Sequence, residues 1–156
     1  MYKKRVKRDK FKIDRSEVGK EKRTFQGILF DSEMELKFYR DYLLPLQAKG
    51  EVISIILQPK FILQDGFKKY GRNILPVHYV GDFEVVWKDG RNIVYDVKGL
   101  PTQESKLKRK SFDYKYPDRT LIWIALSIKF GGWIEYDLLQ KMRAKDKKDN
   151  KSDKIV

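Results

Sequence analysis

Two aspartates and a lysine lie in a stretch whose other residues are typical of a β-hairpin. In VGDFEVVWKDGRNIVYDVKG, residues 80–99, Asp82 interrupts the first apolar run, and Asp96 and Lys98 interrupt the second. Strand interiors usually exclude aspartate. Side chains alternate faces along a strand, so Asp96 and Lys98 share a face. Carboxylates that meet across a sheet repel each other, so they need a lysine, a divalent cation or protonation of one acid.

The turn of this hairpin decides whether the two acids meet. A two-residue loop at 89–90 would place Asp82 and Asp96 on opposite faces of the sheet, whereas a three-residue loop at 88–90 would place them directly opposite each other. Three-residue hairpin loops usually end on a glycine in the left-handed conformation, which is the place of Gly90. We therefore predict the three-residue loop and a shared face for the two acids.

Composition limits the chemistry that these acids could support. The chain of 156 residues has no cysteine and one histidine, so it can build neither a thiolate nor a multi-histidine metal site. A metal would be held by oxygen, which favours Mg²⁺ or Mn²⁺. The sequence has no apolar run of about 18 residues and no apolar segment of a secretory signal. We expect a soluble cytoplasmic protein with no membrane partner.

The charge distribution predicts the domain boundaries. The formal net charge of +13 indicates a polyanionic partner. Residues 1–24 contribute +7 and residues 141–156 contribute +4, which leaves +2 for residues 25–140. We predict a basic flexible N-terminal arm over 1–24, one folded domain over 25–140 and a basic C-terminal tail over 141–156. The termini are either solubilising, disordered ends or arms that neutralise phosphates.

The remaining pattern predicts an α/β domain with a central mixed sheet flanked by helices. Ser32 and Gly50 mark the ends of a first helix, and the strand pattern after it is interrupted at Gln58–Pro59. The order is helix, three strands, helix, strand, helix. The ranges are 31–51, 52–64, 78–87, 91–99, 102–116, 119–128 and 131–145, with a short strand in 24–30 before them and a polar turn at 65–73.

Glu35 on the first helix has two interpretations. The spacing Ser32-x-x-Glu35 fits a capping box, in which the glutamate binds the backbone at the start of the helix. Alternatively, Glu35 borders an apolar stripe, because the positions three, four and seven residues later are aromatic: Phe38, Tyr39 and Tyr42. A carboxylate beside a core needs a partner, and a metal shared with Asp82 and Asp96 would supply one.

Glu35, Asp82 and the Asp96-Val97-Lys98 string together resemble the PD-(D/E)XK nuclease superfamily. The strings GILFDSEMELKFY, LQPKF, VGDFEVVWKDG, YDVKG and KRKSFDYKYP resemble more narrowly a family of small phage-encoded, Holliday-junction-resolvase-like endonucleases. The resemblance covers about residues 24–120 and leaves out both termini. It implies a restriction-endonuclease-like core in the order αβββαβ within residues 25–140. Gly81, not proline, precedes Asp82.

The resemblance implies a metal-dependent endonuclease that hydrolyses DNA phosphodiester bonds and leaves 5′-phosphate and 3′-hydroxyl ends. Asp82 and Asp96 would be the central Mg²⁺ ligands, with the Val97 carbonyl as a backbone ligand and Mn²⁺ as a substitute ion. Glu35 would bind through water or at a second metal position. Lys98 would hold the water or offset charge on the phosphate. The alternatives are a strand-end lysine that extends to solvent and a surface pair of acids.

DNA contacts are expected on the basic helix that follows Pro101. The candidates are Lys106, Lys108, Arg109 and Lys110, and a solvated helix face is the alternative. Gln58 is a second-tier candidate, because the strand interruption lets it reach either the site or the DNA, or cap a turn. The histidine, His78, is interpreted as structural.

Branched DNA is the expected substrate, in phage recombination or replication within the bacterial host cytoplasm. Resolution of a four-way junction needs two matched cuts, so the resemblance also implies a homodimer. The alternatives are an endonuclease for duplexes, flaps or specific sites, and a nucleic-acid-binding protein without catalysis. Metal dependence separates the classes, because binding alone does not need Mg²⁺.

Overall fold

A computed structural model describes residues 13–152 and divides the chain into two units between Leu44 and Pro45. We call the described residues before this boundary the first unit and those after it the second unit. No helix within residues 13–152 has both the length and the apolar character needed to cross a membrane.

The first unit is helical with one small hairpin. Its elements are α1 (Glu17–Lys22), β1 (Thr24–Phe25), β2 (Ile28–Leu29), α2 (Glu33–Lys37) and a π-helical segment (Phe38–Leu43). The last of these runs into α3 (Leu44–Ala48), which crosses the boundary between the units. The π-helical segment precedes Pro45, which lacks the N–H that would donate to the carbonyl four residues before it.

Residues 13–24 contain α1 and the start of β1, within the range 1–24 that the sequence predicted as a basic flexible arm. Ser16 caps α1 by accepting from the Gly19 N–H at 3.1 Å. Arg23 is buried, and its guanidinium donates to backbone carbonyls rather than to carboxylates. The acceptors are the carbonyls of Asp14, Gly19, Phe30 and Asp31. The buried Arg23 side chain thus connects the backbone before α1 to the backbone after β2 by hydrogen bonds. Residues 1–12 lie outside the described part of the chain.

A five-stranded mixed sheet forms the frame of the second unit. Its strands and the helix between them are β3 (Val52–Leu57), β8 (Phe83–Trp87), β9 (Asn92–Val97), α4 (Gln103–Lys115), β10 (Thr120–Ser127) and β11 (Gly132–Glu135). The strands lie in the order β11, β10, β9, β8, β3. Helix α4 connects β9 to β10, which are parallel, and the other neighbours are antiparallel. The predicted central mixed sheet flanked by helices is confirmed.

The sequence did not predict the long excursion between β3 and β8, which we call the β-arm (residues 60–80). It contains β4 (Lys60–Gln64), β5 (Phe67–Lys69), β6 (Arg72–Ile74) and β7 (Val77–Val80). Strand β4 pairs with β7 and β5 pairs with β6. The polar turn predicted at 65–73 is therefore a hairpin, and the strand predicted at 78–87 is two strands that belong to different sheets.

Apolar packing joins the base of the β-arm to the sheet and to α4. Phe61 and Tyr79 from the arm pack with Val94, Phe112 and Leu121. Helix α4 begins at a capping box in which Thr102 and Ser105 satisfy each other's backbone N–H groups. The base of the arm is thereby fixed, whereas residues 64–77 are all exposed.

The hairpin register is confirmed over the paired residues. Phe83 pairs with Tyr95 and Val85 with Ile93. The loop is residues 88–90, and Gly90 has a φ of 88°, in the left-handed region that the three-residue loop requires.

The C-terminal part differs from the prediction at both ends. Residues 132–135, predicted as helix, form β11, because Gly131 and Gly132 adopt φ values of 97° and 106° and let the chain reverse onto β10. Helix α5 (Tyr136–Ser152) then continues through most of the predicted tail. Residues 153–156 lie outside the described part of the chain.

Candidate active site

A break between β7 and β8 positions Asp82. The Gly81 N–H donates to the Pro59 carbonyl at 3.0 Å, and the Gln58 N–H donates to the Asp82 carbonyl at 2.9 Å. The Asp82 N–H in turn donates to the Tyr95 carbonyl at 2.9 Å. The turn at Gln58, with its left-handed φ of 49°, thus holds the backbone of the acid from one side and β9 holds it from the other.

Gly81 allows this break to lie against β9. A Cβ atom at this position would be 2.6 Å from Cγ1 of Val94, a distance that side chains do not tolerate. Glycine before Asp82 therefore has a packing reason, since it lets the backbone approach a core valine closely.

The Asp82 carboxylate completes the end of the β8–β9 ladder. Backbone pairing ends at Phe83 and Tyr95, and beyond it the Val97 N–H donates to Oδ2 of Asp82 at 2.6 Å. The prediction that Asp82 pairs with Asp96 in the ladder is wrong. The ladder ends one residue earlier, at Phe83, and Asp82 lies in the break outside β8. The two acids nonetheless share one end of the hairpin, since Asp82 binds the residue that follows Asp96.

Asp96 is buried and has a different partner on each carboxylate oxygen. Its exposed fraction is 5%. Oδ2 accepts a hydrogen bond of 2.5 Å from the Tyr79 hydroxyl, and Oδ1 lies 2.7 Å from the Lys98 ammonium. The indole Nε1 of Trp123 donates to the Tyr79 hydroxyl oxygen at 2.8 Å. A continuous chain of polar contacts therefore runs from Trp123 through Tyr79 and Asp96 to Lys98.

The hydroxyl of Tyr79 is held in its protonated form. Burial raises the pKa of Tyr79 far above its usual value, and the negative charges of Asp96 and, to a smaller extent, Asp82 raise it further. The protonated hydroxyl is the form that donates to Asp96.

Sequence reasoning assigned neither Tyr79 nor Trp123 to the site. Trp123 lies beside Asp96 because β10 pairs in parallel with β9, with these two residues as register partners. That pairing depends on α4 and cannot be inferred from local periodicity. Tyr79 lies three residues before Asp82 in the chain, but its role depends on β7 pairing with β4.

Lys98 lies between the buried acid and an aromatic face. Its ammonium is 5.5 Å from the centre of the Trp123 ring, and its side chain is mostly buried beside Asp96. The guanidinium of Arg109 lies 4.6 Å from the same ring and forms an ion pair of 2.7 Å with Asp137. Two cations thus flank Trp123, and one of them neutralises Asp96.

The donor set suits a hard divalent cation. Asp82 and Asp96 offer carboxylate oxygens at the end of β9, the Val97 carbonyl is the backbone ligand that the resemblance implies, and oxygen is the ligand that Mg²⁺ and Mn²⁺ prefer. Mg²⁺ usually keeps several waters and binds through one or two carboxylates. Within residues 13–152, no group of three or more His, Cys, Asp or Glu side chains could hold a metal, so the fit rests on two carboxylates and the backbone.

Glu35 belongs to the first unit, where its carboxylate caps α2. Ser32 Oγ accepts from the Glu35 N–H at 3.1 Å and donates to Oε1 of Glu35 at 2.8 Å. The Asp31 N–H donates to Oε2 at 3.2 Å. These contacts agree with the capping interpretation, except that the glutamate binds the N–H of Asp31 instead of that of Ser32.

The four basic candidates of α4 differ in their surroundings. Lys106 and Lys110 are exposed, Lys108 pairs with Glu104 at 3.1 Å, and Arg109 is the residue over Trp123. Their role in DNA binding stays a prediction. Arg109 also has a structural role, since it links α4 to Asp137 of α5.

A cavity of about 780 Å³ lies at the other end of the sheet. Its walls come from the starts of β9 and β10 and from the loop after α4, and include Asn92, Lys115 and Arg119. None of the carboxylates described above lines it. This cavity and the cluster of Asp82, Asp96 and Lys98 are therefore different places on the second unit.

A family model described as "Protein of unknown function (DUF1064)" matches residues 15–132. Neither a curated protein nor a solved structure matches the chain. The match covers most of the sequence, including Asp82, Asp96, Lys98, α4 and the β-arm. The chain therefore belongs to this family.

Proposed function

We propose that this member of the DUF1064 family is a Mg²⁺-dependent endonuclease that hydrolyses phosphodiester bonds in branched DNA, with Mn²⁺ as a substitute ion. The observation that carries the proposal is the cluster of Asp82, Asp96 and Lys98 at the end of β9. Two acids beside a lysine at a strand end supply metal ligands and a cation for phosphate, a combination that binding alone does not require.

The order of elements in the second unit supports a restriction-endonuclease-like core. β3, β8 and β9 form an antiparallel set, α4 follows, and β10 returns parallel to β9. This is the βββαβ order that the resemblance implies. The helix that would precede it is formed by α2, the π-helical segment and α3.

Each residue of the cluster has a role in the proposed reaction. Asp82, Asp96 and the Val97 carbonyl would hold the metal, which when bound would polarise the phosphate and acidify a water molecule. Lys98 donates to a phosphate oxygen or to the attacking water, where negative charge develops. Tyr79 is a positioning residue, because its hydroxyl fixes one oxygen of Asp96.

The metal-binding role that the resemblance implies for Glu35, through water or at a second metal position, stays a prediction. The Glu35 carboxylate is engaged in capping α2, so this role requires it to exchange those hydrogen bonds for a ligand. A Glu35→Gln variant that keeps full cleavage activity would restrict the site to the two aspartates.

Phosphate contacts on α4 complete the proposed DNA surface. Lys106 and Lys110 are exposed on α4, the helix that follows the site in the chain. They neutralise the charge of the DNA backbone. We further propose a two-fold homodimer in the cytoplasm of a bacterial host, because paired cuts in a junction need two sites.

The proposal is tested by a panel of five labelled substrates incubated with the purified chain and either Mg²⁺, Mn²⁺ or EDTA. The panel contains a four-way junction, a Y-fork, a flap, a linear duplex and a single strand. We expect metal-dependent, paired nicks in the junction. Cleavage of duplex or flap alone would favour the other endonuclease class, and binding without any cleavage would favour a non-catalytic DNA-binding protein.

A further inference from the structure

The tip of the β-arm presents an aromatic side chain that has no packing role. Strands β5 and β6 are joined through Tyr70 and Gly71, and Tyr70 is 91% exposed. Its ring lies 5.4 Å from the ammonium of Lys69, which is its immediate neighbour. Neither burial nor a contact with the core accounts for an aromatic residue here.

The backbone at the tip makes tyrosine an unfavourable choice. Tyr70 has a φ of 50° and Gly71 a φ of 72°, so both central residues of the turn are left-handed. Such turns favour Asn-Gly or Gly-Gly, and a bulky residue at positive φ is strained. A sequence selected for hairpin stability alone would not place tyrosine at this position.

The β-arm also carries the positive charge of the folded region. Residues 60–80 contain four Lys or Arg and one Asp, a net charge of +3, whereas the whole of residues 25–140 carries +2. The rest of that region is therefore slightly negative. The positive charge on the arm is concentrated around the tip, at Lys68, Lys69 and Arg72.

The cations at the tip are also unpaired. Within residues 13–152, none of Lys68, Lys69 and Arg72 forms an ion pair, whereas Lys98 and Arg109 pair with carboxylates. Cations without internal partners around an exposed ring match the surfaces that hold a nucleic-acid backbone and stack a base.

We propose that the tip of the β-arm binds DNA where the base stack is open, with Tyr70 stacked on an accessible base and Lys68, Lys69 and Arg72 on the flanking phosphates. The inference rests on the proposed function, in which DNA is the substrate, and gives it a means of selecting branched or unpaired sites. Aromatic stacking is tolerant of base identity, so this contact selects DNA shape and not sequence.

The chain connects this tip directly to the acidic cluster. Strand β7 returns from the arm and contains Tyr79, the partner of Asp96. Twelve residues lead from Tyr70 to Asp82, and at about 3.3 Å per extended residue they span at most about 40 Å. A base held at the tip therefore lies within roughly one turn of duplex from the carboxylates.

The test measures DNA binding by the full chain in EDTA, where cleavage plays no part. The probes are a fluorescein-labelled duplex with a three-nucleotide bulge and the matched duplex without it, followed by fluorescence anisotropy. We expect Tyr70→Ala to weaken binding to the bulged probe about tenfold and to change binding to the matched duplex by less than about twofold. Tyr70→Phe should keep wild-type binding, because it retains the ring. Tyr114→Ala is the matched control, since Tyr114 on α4 is equally exposed at 91%, and it should change neither probe.

Tyr70→Asn separates stacking from folding. Asparagine suits the left-handed turn, so this variant should unfold at the wild-type temperature or above it and still lose binding to the bulged probe as Tyr70→Ala does. Unchanged bulge binding by Tyr70→Ala, an equal loss with Tyr114→Ala, or an equal loss on both probes would overturn the inference.

The two proposals fail in different ways. If Tyr70-dependent binding to the bulge persists but no substrate is cut in Mg²⁺, the endonuclease proposal fails and the β-arm inference stands. If cleavage depends on Asp96 while Tyr70→Ala binds and cuts as the wild type does, the β-arm inference alone is overturned.

Discussion

Asp96 shows how a buried acid can be kept in a sheet. Burial of a carboxylate is costly unless it is paired and hydrogen-bonded, and here the Tyr79 hydroxyl and the Lys98 ammonium each bind one oxygen. The sequence indicated the acid and the lysine, because both interrupt an apolar run. It did not indicate Tyr79 or the Trp123 indole, because those contacts come from strand pairings distant in the chain.

The Tyr79→Phe variant tests this network. It removes the hydroxyl and leaves Oδ2 of Asp96 and Nε1 of Trp123 without their present partner, so we expect the free energy of unfolding to fall by about 1–3 kcal/mol. Urea denaturation measures the change. Tyr114→Phe, at an exposed position on α4, should change stability by less than about 0.5 kcal/mol. Equal stability of Tyr79→Phe and wild type would show that the network does not hold Asp96.

Arg23 is a buried charged residue of the first unit, as Asp96 is of the second. Its guanidinium donates to four backbone carbonyls in a buried position, a geometry that lysine cannot reproduce. We expect Arg23→Lys to destabilise the fold by about 1–3 kcal/mol, measured by urea denaturation. Arg15→Lys, an exposed change in the same segment, is the control. If both variants have wild-type stability, Arg23 does not organise residues 13–24.

At the scale of elements, the hairpin was predictable and the break before it was not. Gly90 at the end of a three-residue loop fixes the register from local turn chemistry. The break at Gly81 depends on two facts that a local pattern does not contain. The β-arm inserts between β3 and β8, and the Val94 side chain occupies the space where a Cβ would lie. The first residues of the helix predicted over 131–145 form a strand for a similar reason, because the pairing of residues 132–135 with β10 overrides the local helical pattern.

The Gly81→Ala variant tests whether the break positions Asp82. A methyl group here would meet Cγ1 of Val94 at 2.6 Å, so we expect a loss of about 1–3 kcal/mol in stability and a reduced cleavage rate as Asp82 shifts. Gly99→Ala is the control, because a Cβ at Gly99 meets nothing within 4 Å. Thermal unfolding and junction cleavage should be measured on the same preparations. Wild-type behaviour of Gly81→Ala in both assays would contradict the assigned role of the break.

At the scale of the whole molecule, the net charge of +13 is concentrated in the terminal segments, and a smaller excess lies on the β-arm. Composition predicted the terminal excess, because it follows from counting. It did not predict the excess on the arm, because the arm is recognisable only once β4 and β7 are known to pair. The sequence also indicated the central mixed sheet, since alternating strands and helices leave few architectures for one domain.

Deletion of residues 1–12 tests whether the basic N-terminus contacts DNA. The segment contains seven Lys or Arg and one Asp. If it neutralises phosphates, its removal should reduce the slope of log affinity against log salt by up to about 6, at about 0.9 per phosphate contact. Anisotropy titrations of a duplex at several NaCl concentrations give the slope. An unchanged slope would identify the segment as a solubilising end that does not contact DNA.

We propose that Lys98, Asp82 and Asp96 form a phosphodiester-cleaving site. The most direct measurement is the rate of Mg²⁺-dependent nicking of a four-way junction by Lys98→Ala, compared with wild type and with Lys88→Ala, an exposed lysine of the hairpin loop. We predict that Lys98→Ala cuts at least about 10²-fold more slowly while its affinity for the junction in EDTA stays within about threefold of wild type, and that Lys88→Ala cuts normally. Cleavage by Lys98→Ala at the wild-type rate would contradict the assignment.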